Sequence, residues 1–143
     1  MCEIFISANP ESYESRTRSV RLHGVVTSIR LENLHWEVLE EIGRRDGMSV
    51  TQLLERLYDE LVAARGEAGN FASFLRVSAL RYMGLQARQR IPTDVGVPIR
   101  SLDADRVLEA LPQSWVRREV AQALSQGSLE ELDSIRANLP MHR

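Results

Sequence analysis

The sequence predicts a mainly α fold opened by a short β-ribbon and closed by a helical C-terminal extension. Three observations carry this. Apolar and polar residues alternate from Val25 to Leu31, the period of a half-buried strand. From Asn33 the period becomes helical and stays so, between recognisable caps, to about residue 86. Residues 87–101 then interrupt it with two prolines and a glycine, and three short amphipathic segments follow.

Residues 3–6, Glu-Ile-Phe-Ile, read as a short strand, and the Ser-Ala-Asn-Pro-Glu-Ser that follows as a loop. Residues 1–24 are an N-terminal segment that ends in a basic arm. In the strand after it, Val25, Thr27, Ile29 and Leu31 share one parity, and Val26, Ser28 and Arg30 share the other. The word Ser28-Ile-Arg-Leu31 nearly repeats Ser19-Val-Arg-Leu22, nine residues earlier. Nine is odd, so one straight strand would send Arg21 and Arg30 to opposite faces, and the chain must change phase near His23-Gly24. A two-residue turn there would pair Ser19 with Ser28 and bring both arginines to one face.

Leu34, Val38, Leu39 and Ile42 mark the first long helix, with Glu37, Glu40 and Glu41 on its other side and Gly47 as its left-handed C-cap. Ser49-Val-Thr-Gln52 is a capping box that opens the second. Its stripe of Leu53, Leu54, Leu57, Tyr58, Leu61 and Val62 is broad enough to be buried on two sides, and it stops at Arg65-Gly66. A third helix, Asn70 to about Gln86, carries Phe71, Phe74, Leu75, Val77 and Leu80, and its aromatics read as core residues. Residues 25–86 thus form the principal domain, 87–101 a linker and 102–143 a helical C-terminal extension. That extension reads as helices over Asp103–Leu111, Ser114–Leu124 and Ser128–Leu139, the last opened by the capping box Ser128-Leu-Glu-Glu131. At about 40 residues it is too small to fold alone. Its apolar set, Val107, Leu108, Leu111, Trp115, Val120, Leu124, Leu132 and Ile135, is expected to bury against the first part, another tail or a partner protein.

At 143 residues with a net charge of −2, the chain is one domain with an extension and is no diffuse polycation. All 18 basic residues are arginine. From Ser15 to Leu31, Arg16, Arg18, Arg21 and Arg30 meet no acid, a local charge of +4 with His23 neutral, which marks an anion-binding edge. The single cysteine, Cys2, can form no internal disulfide, and the N-terminus lacks a signal peptide's basic start and apolar core. No apolar run reaches the roughly 20 residues of a membrane span, so a cytoplasmic protein is expected. His23, His35 and His142 are scattered, and no metalloprotease, phosphate-loop or paired-cysteine motif occurs. Cys2 has no positioned base. No catalytic residue, metal or cofactor is therefore expected.

A lone strand followed by two helices makes a poor monomer, because its backbone edges stay unpaired and the second helix stays uncovered. An obligate, intertwined homodimer would cure both defects by pairing two copies of the strand. Ser28-Ile-Arg-Leu31, Trp36 to Ile42, Asp46-Gly47-Met-Ser-Val50 and the helix after them resemble the ribbon-helix-helix transcription regulators over about residues 25–65. The flanks Arg18 to Gly24 and Asn70 to Val77 look like a bacterial subfamily of ribbon-helix-helix domain proteins. Residues 98–143 lie beyond the match. Where one family member buries an ionic triad, this chain has Met48, Leu53 and Leu57.

The resemblance implies a bacterial, homodimeric DNA-binding protein, expected to be a repressor, whose ribbon enters the major groove and whose dimers can form tetramers on DNA. By position, Val26, Ser28 and Arg30 would read base edges. Arg30 suits guanine, Ser28 offers one hydroxyl, and Val26, where relatives carry a polar residue, can touch only a thymine methyl. The amides of Ser49, Val50 and Thr51 would hold a DNA phosphate. Two hairpins would make four strands, too wide for the groove, so Arg16, Arg18 and Arg21 are expected on an arm that touches the phosphate backbone. The alternative reading is an antitoxin-like or other interaction module whose C-terminal helices bind a partner protein.

Overall fold

The structure, a computed structural model, describes residues 1–116. The helix expected over Ser128–Leu139 lies outside the described residues, as does all of the one expected over Ser114–Leu124 but its first three residues, which belong to a 3-10 turn (Gln113–Trp115) and its C-cap. A helical turn α1 (Cys2–Ile6) and a 3-10 turn (Pro10–Tyr13) precede strands β1 (Ser15–Leu22) and β2 (Val25–Glu32). Three long helices follow, α2 (Asn33–Arg45), α3 (Val50–Arg65) and α4 (Phe71–Ala87), and then short α5 (Ala104–Leu108). The ribbon followed by helices agrees with the expected fold class.

Two N-terminal expectations change. The strand expected over residues 3–6 is α1 instead: it has no neighbour to pair with, and local bonds such as Ser7 N to the Glu3 carbonyl at 3.2 Å occupy its backbone. The basic arm expected from Arg16 to His23 is β1, paired antiparallel with β2 in the same chain. His23 at φ 48° and Gly24 at φ 79° form the left-handed two-residue turn that a twisted hairpin needs. The register sets Ser19 against Ser28 and Leu22 against Val25. The ladder runs on past β1, with Asn33 N donating to the Glu14 carbonyl at 2.8 Å.

Alternation along the hairpin turns Val20, Leu22, Ile29 and Leu31 inward. They meet Trp36 and Leu39 of α2, Leu53 and Leu54 of α3, and Phe71 and Leu75 of α4 in one core. Trp36 anchors it twice, by burial and by donating from Nε1 to the Arg16 carbonyl at 2.9 Å. Leu34, read from the sequence as part of the buried stripe, is exposed, and Trp36 takes its place. β2 thus finds its partner strand in the same chain, while β1 and the start of α4 cover α3. The defect of the unpaired strand is met within one chain, while the cover over α3 is complete at Leu53 and Leu54 and partial at Leu57, Tyr58, Leu61 and Val62.

The second half of α4 builds a smaller core. Tyr82, Leu85 and Ile91 pack with Val38 and Ile42 of α2 and with Ile99, Leu102, Val107, Leu111 and Trp115 from beyond. Of the segment expected as a linker, residues 88–98 hold no helix or strand, residues 99–101 form a 3-10 turn, and the whole is docked. Arg45, buried at the end of α2, donates to the carbonyls of Val97 and Pro92, each at 2.9 Å, and to the Tyr82 hydroxyl at 3.0 Å. That hydroxyl in turn donates to Glu41 Oε2 at 2.7 Å. Of the burial options open to the extension, its described part takes the first, lying on α4. Val77 and Leu80, part of the apolar pattern, are 61% and 68% exposed, so the buried stripe of α4 is narrower than that pattern.

Candidate nucleic-acid interface

The ribbon has two unlike faces. The outward one carries Ser15, Thr17, Ser19 and Arg21 from β1, and Val26, Ser28, Arg30 and Glu32 from β2. Across the strands Thr17 stands against Arg30, Ser19 against Ser28, and Arg21 against Val26. The three residues expected to read bases therefore share one exposed face, joined there by Arg21. Thr17 and Ser19, which sequence reasoning left in an arm, are on that face too. The His23-Gly24 dipeptide is the sequence signal that finds them.

Arg16 and Arg18 have the parity of the buried residues and face α2. Arg18 bonds Glu40 and lies over the Trp36 ring at 4.8 Å, while Arg16 comes to 3.9 Å from the same carboxylate. The four arginines counted together along the sequence are therefore split by the fold. Two neutralise α2, and two are presented outward.

The acid on the outward face is occupied. Arg76 of α4 donates from Nε to both Glu32 oxygens, at 3.0 and 3.1 Å. That hydrogen bond outweighs partial burial and holds the Glu32 carboxyl below its usual range. Arg76 Nη2 also donates to the Arg30 carbonyl at 3.2 Å. In this hairpin the closing pair Leu22–Val25 exchanges ladder bonds, so residues 26, 28 and 30 turn their backbone groups away from β1. Arg76 therefore occupies one carbonyl on the outer edge of β2, that of Arg30.

Two further contacts fix the ribbon's tip. Arg21 Nη1 donates to the Gly24 carbonyl at 3.2 Å. His23 Nε2 lies 3.1 Å from Asp59 Oδ1, and its ring packs edge-on against Tyr58 at 5.1 Å, joining the turn to α3.

At the start of α3 the capping box forms as expected. Gln52 N donates to Ser49 Oγ at 3.2 Å, and Ser49 N donates to Gln52 Oε1 at 2.9 Å. The Ser49 amide is thereby used, which leaves the amides of Val50 and Thr51 as the helix's open donors at this end. Among the described residues no group of three or more His, Cys, Asp or Glu side chains could hold a metal ion. None of the described helices is long and apolar enough to cross a membrane.

A family model described as "Ribbon-helix-helix domain" matches residues 15–83, which span the hairpin through most of α4. Among solved structures, an uncharacterized protein from Bordetella pertussis Tohama I is similar at 66% identity and a TM-score of 0.81. The match covers 82% of this chain and 94% of that one. No curated protein matches.

Proposed function

Since the chain belongs to the ribbon-helix-helix family, we propose that it is a sequence-specific, duplex-DNA-binding transcriptional regulator, acting without catalysis, that lays the outward face of its own β1–β2 ribbon in the major groove. The observation that carries this is the makeup of that face: two exposed arginines, hydroxyls from both strands, and an acid already held by Arg76. A single hairpin, with strands about 4.8 Å apart, fits a groove about 12 Å wide. The width objection applied to two hairpins side by side, and it falls once one chain supplies both strands.

Arg30 then addresses guanine O6 and N7, Ser28 gives or accepts one hydrogen bond, and Val26 touches a thymine methyl. The Val50 and Thr51 amides anchor a phosphate at the positive end of α3. Arg18 leaves the phosphate-binding set, because Glu40 and Trp36 hold it on the other face, and Arg16 leaves it by its parity, lying on that face 3.9 Å from Glu40. The test is binding of the purified chain to duplexes from its own upstream region. Arg30→Ala should cost about 1–3 kcal/mol of affinity with no loss of folding. Unchanged affinity in that variant would remove the ribbon from the readout. Repression rather than activation follows if the bound site overlaps its own promoter and transcription in vitro falls.

The alternative is an antitoxin-like or other interaction module whose C-terminal helices bind a partner protein, and of its apolar set Val120, Leu124, Leu132 and Ile135 lie outside the described residues. Val107, Leu111 and Trp115 are committed to α4, whereas Val77 and Leu80 stand exposed.

A further inference from the structure

The doubled word acquires a geometric meaning once its register is known. In an antiparallel pair, a two-fold axis normal to the ribbon and midway between Ser19 and Ser28 carries each β1 residue onto the β2 residue nine positions later. It exchanges Ser19 with Ser28, Val20 with Ile29, Arg21 with Arg30 and Leu22 with Leu31. The surroundings obey the same operation. Val20 and Ile29 are both buried, Leu22 and Leu31 are both buried, and Arg21 and Arg30 are both exposed on the outward face. Two separate coincidences, the nine-residue repeat and the pairing of its two serines, are needed to place this axis, and both hold.

We propose that the ribbon is a pseudo-symmetric reader contained in one chain, with Arg21 and Arg30 as equivalent guanine-reading residues and a short pseudo-palindromic duplex as its target. The inference rests on the DNA reading above and deepens it. Duplex DNA has two-fold axes that exchange its strands, and a protein two-fold settles on one of them. The guanines facing Arg21 and Arg30 then lie on opposite DNA strands, on either side of the axis. Arg21 is moved by this from the phosphate backbone to the bases.

The spacing follows from the register. Arg30 is opposite Thr17, four residues from Arg21 along β1. At about 3.3 Å per residue that is roughly 13 Å, or about three to four base-pair steps. Over the centre lie the two serine hydroxyls, which donate or accept and so tolerate several bases. The bond from Arg21 Nη1 to Gly24 O uses one of five N–H donors, which leaves a fork for O6 and N7. Between the strands' reading positions the symmetry lapses at Thr17 and Val26, and on the inward face it lapses at Arg16 and Val25 and at Arg18 and Thr27. Arg21 has Val26 beside it and Arg30 has Thr17, so a thymine methyl is favoured next to the guanine of Arg21 only if Val26 reaches it.

The experiment selects bound duplexes from random DNA with the full chain, with Arg21→Ala and with Arg30→Ala, after far-UV circular dichroism has shown that all three fold alike. The wild type should enrich two guanines on opposite strands, three to four steps apart. Each variant should lose the preference at one of them and bind the wild-type element about 5- to 150-fold more weakly. Retention of both preferences by Arg21→Ala, or two guanines on the same strand, overturns the pseudo-symmetric reader and leaves the DNA reading intact. A wild-type chain that enriches nothing and binds no duplex overturns both.

Discussion

Arg18 and Arg21 are three residues apart, an odd number, so the strand sends them to opposite faces and gives them different work. Arg18→Ala should lower stability by about 1–2 kcal/mol, the combined worth of a half-exposed ion pair and a cation–π contact. It should leave duplex affinity within about twofold, and denaturant unfolding beside a DNA titration separates the two effects. Glu32 makes a second prediction. Its bond to Arg76 depresses its folded-state pKa below the ordinary 4.5, so the stabilisation is complete above that value and is lost as pH falls through the lowered one. Acid unfolding of Glu32→Gln should lack the part of the slope that the wild type shows there. The sequence displayed the charges at 16, 18, 21 and 30 but not their division. The division depends on strand parity, and parity depends on a turn.

Elements with a clean period were legible and those without one were not. β2 and the three long helices could be read from alternation, 3.6-residue spacing and caps, and the capping box of α3 formed as written. β1 is offered by the His23-Gly24 turn but opposed by groove width, and Arg16 and Arg18 at two of its inward positions weaken its alternation. The docking of residues 88–102 was illegible for another reason. It depends on a buried arginine, Arg45, whose partners are carbonyls and a phenol, and no local pattern announces such a contact. Of the reading face, Val26, Ser28 and Arg30 were placed from resemblance, while Thr17, Ser19 and Arg21 required the hairpin. Gly84 is specified at this scale as well. A Cβ there would clash with the Trp115 ring, which also lies under Arg88 at 4.3 Å. Gly84→Ala should therefore drive Trp115 off α4 and cost about 1–3 kcal/mol, seen as a lower unfolding midpoint and a red-shifted tryptophan emission.

For the whole molecule, β1 pairs with β2 and packs on the core within one chain, and the expected outcome is folding that needs no second copy. The thermal midpoint should stay constant from about 1 to 100 μM, whereas an obligate dimer would melt higher at higher concentration. Leu54, fully buried between the hairpin and the helices, should cost about 2–5 kcal/mol when changed to alanine, measured by denaturant unfolding. The same intrachain pairing has a consequence for how the protein can change. When a ribbon is assembled from two identical chains, any substitution alters both halves in lockstep, and the preferred site stays a perfect palindrome. Here each half is encoded separately, so one can be rewritten while the other is kept. Thr17 and Val26, equivalent in position and different in chemistry, are already one such independent edit.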